Sequence, residues 1–154
     1  KVVQRMTGDY DAWWKSLSVV FDRPIRIGLG SDAERVTQLH PHDWQVTAQS
    51  QSPWHQNHVR KGHMGRGLWF VDVEKAGRYE IELRRWPRHV DKGMEAERAK
   101  IAIGGVGPTA TVSPSEAKVV FTVDLKAGPT TLEASFTLPN GKERGAYFVY
   151  VTRI

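Results

Sequence analysis

The 154 residues carry 22 Lys and Arg against 17 Asp and Glu, a formal net charge of +5, with six histidines and no cysteine. One domain's worth of chain buries about two thirds of its unfolded surface and folds without covalent staples, and the lack of cysteine excludes disulfides and thiolate metal centres. No apolar run approaches the roughly 18 residues needed to cross a bilayer, and Lys1 opens neither a signal peptide nor a methionine-initiated chain, so the sequence reads as a piece of a longer protein.

Asp9 to Leu17 sets Tyr10, Trp13, Trp14 and Leu17 at spacings of three and four, which predicts a short amphipathic helix capped by Thr7 or Asp9. Its paired tryptophans need cover, from the rest of the domain or from a neighbour. Residues 1–18 are read as a short helical segment and 19–154 as a single β-sandwich domain. Ile25, Ile27 and Leu29 then alternate as a strand that Gly30 to Asp32 ends. Gly28-Leu29-Gly30 looks like the opening of a dinucleotide loop, but no third glycine and no helical pattern follow. Short strands are predicted at Val36 to Leu39 and Trp44 to Thr47, joined by His40-Pro41-His42-Asp43. In the irregular stretch from Gln49 to Gly67, an edge strand is predicted at Trp54, Gln56 and Val59.

Leu68 to Val73 and Gly77 to Pro87 are the organising pair, read as a hairpin through Glu74 to Gly77. In the second segment Tyr79, Ile81 and Leu83 share one face and Arg78, Glu80, Glu82 and Arg84 the other, the period of a strand with one dry and one wet side. Pro87 closes it, because proline cannot donate to a sheet ladder. Carried to its end, the wet face stands Trp86 beside Arg84; otherwise Trp86 folds under a loop and Arg84 pairs with Glu80 or Glu82. Ala99, Ile101 and Ile103 alternate next, followed by Val119 to Leu125 and Leu132 to Leu138. Ala146 to Ile154 is apolar on both parities, as suits a strand covered on both faces. Eight or nine strands at this spacing predict an all-β fold, an antiparallel sandwich or jelly roll.

Candidate chemistry is sparse. His40-x-His42 and His55-x-x-His58, with His63 beyond, have spacings found in two-ligand metal sites, yet no carboxylate or thiolate completes a set, and solvated loop histidines are the expectation. Ser113-Pro114-Ser115 reads as a turn and not a nucleophile elbow. Glu80 with Glu82, and Glu95 with Glu97, read as surface charges and not as a catalytic dyad. No catalytic residue is expected in this chain. The tryptophans near loops, Trp44, Trp54 and Trp86, can stack on sugar rings, while Trp13, Trp14 and Trp69 are expected in the core. The block Arg84-Arg85-Trp86-Pro87-Arg88-His89 is the one local concentration of positive charge, and it suits sulfate or phosphate groups. No dense basic stripe or known motif points to nucleic acid.

Trp54-His55-Gln56, Gly67-Leu68-Trp69-Phe70-Val71-Asp72-Val73, the Gly77 to Pro87 strand, Leu125-Lys126-Ala127-Gly128 and the ending Gly145 to Arg153 together resemble the C-terminal region of bacterial arylsulfatases of the planctomycete kind. The helix with Trp13-Trp14 resembles the link out of the catalytic domain. The resemblance implies an exported, non-catalytic accessory domain that packs on a sulfatase catalytic domain and helps to hold sulfated polysaccharide, with Arg84, Arg85, Trp86, Trp54 and His55 as ligand-binding candidates. It also implies that formylglycine and calcium belong to the upstream domain. The Cys/Ser-x-Pro-Ser/Ala-x-Arg motif is absent here, since the one Pro-Ser pair, Pro114-Ser115, has Val112 before it and Ala117 after it. The alternatives are a free-standing jelly-roll carbohydrate-binding module, which uses similar Gly-x-Tyr-x-Ile strands, and a purely structural docking domain.

Overall fold

In a computed structural model that describes residues 1–46 and 50–154, the dry faces read above close two sheets over one interior. The strands in chain order are β1 (Ile27–Leu29), β2 (Val36–Leu39), β3 (Leu68–Val73), β4 (Gly77–Arg84), β5 (Arg98–Ile103), β6 (Thr109–Thr111), β7 (Val119–Leu125), β8 (Gly128–Thr137), β9 (Glu143–Gly145) and β10 (Phe148–Arg153). One sheet runs β1-β3-β8-β5-β6 with β9 also paired to β8, and the other runs β2-β10-β4-β7. From β3 onward the chain passes repeatedly between the sheets, so the sandwich is of jelly-roll type. Among the described residues every strand pairing is antiparallel except β1 with β3.

β4 has the dry face expected of it: Tyr79, Ile81 and Leu83 are fully buried, between β10 and β7. Burying one such side chain stabilises the fold by about 1.5–3 kcal/mol. The hairpin with β3 does not form, because β3 and β4 lie in different sheets. Trp69, Val71 and Val73 on β3 are as thoroughly buried as the β4 set. Alternation shows that both strands have an inner face; it cannot distinguish two strands side by side from two that cross the interior. A true hairpin lies at Pro139 to Lys142, where Leu138 N–H donates to Lys142 O at 2.9 Å and β8 returns as β9.

β10 holds a central place between β2 and β4, with Val149 and Val151 inward. Its outward Tyr150 is only 5% exposed, because the Arg88 guanidinium lies 4.1 Å above its ring. A side chain covers that face, not a second layer. Ile25 is fully solvated and belongs to no strand. Of the predicted Trp44 to Thr47 strand, only Gln45 pairs, as a bridge to Leu68, and Thr47 lies outside the described residues.

The edge strand predicted at Trp54, Gln56 and Val59 is instead a short helix, α2 (Gln56–Lys61). Local caps decide this: His55 Nδ1 accepts from Asn57 N–H at 3.2 Å, and Gly62 takes the left-handed φ of 68° that terminates a helix. The N-terminal helix, α1 (Val2–Ser18), is longer than predicted; it starts after Lys1, so Thr7 and Asp9 lie within it and cap nothing. None of its residues is buried. Trp13 and Trp14, expected in the core, are 54% and 47% exposed and pack with Tyr10 and Phe21. No helix among the described residues is long and apolar enough to cross a membrane.

Candidate functional site

Three neighbouring strands end together at one rim of the four-stranded sheet. Register pairs Val149 with Leu39 on one side and Phe148 with Arg84 on the other, so β2 leaves the sheet, β10 enters it and β4 leaves it in a row. At those ends stand His40-Pro41-His42, Phe148 and Trp86-Pro87. With the segment from Pro53 to Arg60 as an opposite wall, they line a cleft of about 450 Å³.

The opposite wall is tied down at two points. Ser52 Oγ donates to Pro41 O, and a ring nitrogen of His42 meets Trp54 O at 2.8 Å. Trp54 thereby stands over the cleft with 66% of its surface free, its ring edge-on to His55 and His58 at 5.7 and 5.3 Å. Across from it, Trp86 Nε1–H donates to Gly93 O at 3.2 Å, which orients the indole, and Arg85 and Lys92 lie 4.8 and 5.2 Å from its ring. Phe148 forms part of the lining with His40 edge-on at 5.6 Å. Burial holds the His40 imidazole below its ordinary pKa, so it stays neutral and can both donate and accept.

His89, Val90, Gln56, Val59 and Arg60 complete the wall, and no carboxylate contributes to it. The surface thus offers flat aromatic and proline faces with a few imidazole, amide and guanidinium groups between them. That mixture suits a ligand with apolar faces and many hydroxyls.

Of the residues singled out from the sequence, Trp54, His55 and Trp86 meet in this cleft, and Arg85 sits at its edge in an adjoining pocket. Arg84 does not join them. β4 ends at Arg84, so Trp86 leaves the strand's alternation and turns under the following loop, while Arg84 Nε–H donates to Glu82 at 2.6 Å. Arg88 donates to the same carboxylate at 3.0 and 3.1 Å. Burial raises the Glu82 pKa, but the bonds from Arg88 and Arg84 outweigh it and hold the carboxyl below its usual range. Trp44, the third tryptophan proposed for stacking, is buried against Trp69 at 5.7 Å and faces no ligand.

His40, His42, His89, Lys92 and Phe148 also line the cleft and were not among the ligand-binding candidates read from the sequence. The sequence marked the first two only through metal-like spacing. Among the described residues no three metal-ligating side chains stand together.

No protein-family model and no curated protein matches the chain. Among solved structures, a family 35 carbohydrate binding module from Clostridium thermocellum is similar at 13% identity and TM-score 0.48, over 79% of this chain and 100% of that one. The mannan binding module from Man5C is similar at 16% identity and TM-score 0.45, over 77% of this chain and 98% of that one. A ruminal GH26 endo-beta-1,4-mannanase is similar at 15% identity and TM-score 0.48, and this chain spans 26% of its length. The likeness is one of general architecture.

Proposed function

We propose that this chain is a carbohydrate-binding module of jelly-roll architecture and that the cleft between Trp54 and Trp86 takes the sugar. The observation that carries this reading is Trp54: a large apolar ring left 66% exposed on a segment that is tied to the facing rim through Trp54 O and Ser52 Oγ. An indole held open to water in a preformed cleft is suited to the C–H face of a pyranose, with His40, His42, Gln56 and Arg60 within the same wall for its hydroxyls. The reading rests on this lining and not on the structural neighbours.

Trp54→Ala is expected to weaken binding to a recognised polysaccharide about tenfold or more, and Trp86→Ala similarly, with little change in melting temperature for the first because its ring is exposed. Affinity electrophoresis against neutral, carboxylated and sulfated polysaccharides measures both. A panel in which no polymer retards the wild type, or in which Trp54→Ala migrates like the wild type, removes the reading.

A second reading, an accessory domain packed on the catalytic domain of a sulfatase-like hydrolase, is favoured by α1. Val3, Met6, Tyr10, Trp13 and Leu17 recur at alternating spacings of three and four, the seam of a helix that packs along its length, and all are exposed. Export would follow from the same assignment. Calorimetric titration with a sulfatase catalytic domain is expected to give saturable binding that Trp13→Glu abolishes; the absence of heat from the wild type would sink it.

A further inference from the structure

A second pocket, of about 550 Å³, adjoins the cleft and shares Arg60, Trp86 and Lys92 with it. Its remaining wall holds Arg85, Glu95 and the Pro114-Ser115 turn. Arg85 is the unusual member, a guanidinium whose residue is only 3% exposed. One of its nitrogens, Nη2, donates to Val59 O and Arg60 O at 3.3 and 3.1 Å, satisfying the last turn of α2. Nη1 faces the Glu95 carboxylate as an ion pair, and Nε has no hydrogen-bond partner among the described residues. A second buried guanidinium, Arg144, lies behind it and donates to Met94 O at 2.6 Å.

The charges in this corner do not balance. Among the described residues, Arg60, Arg85 and Lys92 share the pocket wall with one acid, Glu95, which pairs with Arg85 and has its side chain 65% exposed. Burial lowers the pKa of Arg144 and the nearby Arg85 charge lowers it further, against the opposing pull of Tyr147 and Glu95. The backbone presents Glu95 deliberately. Its N–H donates to Pro114 O at 2.9 Å, Met94 N–H donates to Glu116 O at 2.8 Å, and Glu95 is the one non-glycine among the described residues with a positive φ, 56°. A buried cation covered by an exposed carboxylate is a site at which one anion can be exchanged for another.

We propose that this pocket is an anion subsite, in which a carboxylate or sulfate substituent of the bound glycan displaces Glu95 from Arg85 while the neighbouring sugar ring lies against Trp86. The inference rests on the carbohydrate reading of the cleft. It assigns Arg85 as the principal partner of the substituent, Lys92 as a mobile second cation, and Glu95 as an internal competitor that keeps the site closed to weak anions.

Glu95→Gln provides the test, because it removes the competing charge without touching the groups that would bind. Polysaccharides of three kinds, neutral mannan, carboxylated polygalacturonate and a sulfated galactan, are titrated into wild type and Glu95→Gln at matched ionic strength. Affinity for at least one charged polymer is expected to rise about threefold or more in Glu95→Gln, with affinity for the neutral polymer unchanged. Which charged polymer gains identifies the substituent. Equal affinities of the two proteins for both charged polymers overturn the subsite while leaving the cleft reading in place. A gain that includes the neutral polymer overturns it as well. Inorganic sulfate bound by Glu95→Gln, with no polysaccharide bound by either protein, overturns both the carbohydrate reading and this extension of it.

Discussion

Trp69→Ala is expected to lower the unfolding free energy by about 3–5 kcal/mol, the largest effect anticipated for any single position in the sandwich. Trp69 is fully buried on β3, packs edge-on against Trp44 at 5.7 Å, and uses its Nε1–H on His40 O at 2.8 Å. Alanine removes the ring and leaves a void that rigid neighbours on both sheets cannot close, and it takes from the His40 carbonyl the shorter of its two hydrogen bonds, the other coming from Asp43 N–H at 3.2 Å. Trp69→Phe separates the two contributions. It keeps most of the packing and loses the hydrogen bond, so a cost of about 1–3 kcal/mol is expected. Because His40 O belongs to the cleft wall, the phenylalanine variant is also expected to weaken glycan binding at temperatures where it is fully folded. Urea unfolding gives the first number and a titration the second. A loss under about 1 kcal/mol for alanine contradicts the packing described here.

The second large effect is expected at Gly30, directly after β1. Its φ of +77° is a conformation that side chains rarely adopt, and an added Cβ would meet the Tyr79 hydroxyl and come within 2.8 Å of its ring. Tyr79 cannot yield, since it is fully buried and its hydroxyl donates to Lys75 O at 2.6 Å, closing the corner where the chain passes from one sheet to the other. Backbone strain, overpacking and the lost hydrogen bond together place Gly30→Ala at about 2–4 kcal/mol. Gly8→Ala is its control, because a Cβ there meets nothing within 4 Å and α1 buries nothing. The control is expected to leave the sandwich's melting temperature unchanged. If Gly30→Ala unfolds at the same denaturant concentration as the wild type, Tyr79 does not hold the corner shut.

These two positions show how legible the chain was. Trp69 was expected in the core and Tyr79 was assigned to a dry face from alternation, and both are fully buried. That they belong to different sheets was not legible, because a three-residue link and an alternating strand look the same whether the chain folds back in plane or crosses the interior. Trp13 and Trp14 failed for a different reason. Periodicity identifies the apolar side of a helix, but whether anything covers that side depends on where the helix lies, and no residue of α1 is buried. α2 was misread because three residues at spacings of two and three were weighed above the His55 and Gly62 caps that bracket it.

The candidate site was legible in part. Trp54, His55, Arg85 and Trp86 were chosen for residue type, an aromatic or a cation near a loop, and such choices need no knowledge of distance. Arg84 was joined to Trp86 by carrying the strand's alternation past its end, and His40 and Phe148 were not chosen as ligand-binding candidates. Their place in the cleft depends on β2, β10 and β4 being adjacent and in a register that aligns Leu39, Val149 and Leu83.

What the residues determined by themselves is local: which positions are apolar, with what period, and therefore that strands with one dry face must find a second sheet to cover them. What only the tertiary structure decided is the order of those strands and the meeting of distant segments at one rim. The physical reason is range. Period and capping act over a few residues through backbone geometry, whereas strand order and the cleft arise from packing among segments far apart in the chain, for which no short stretch of sequence carries the distance.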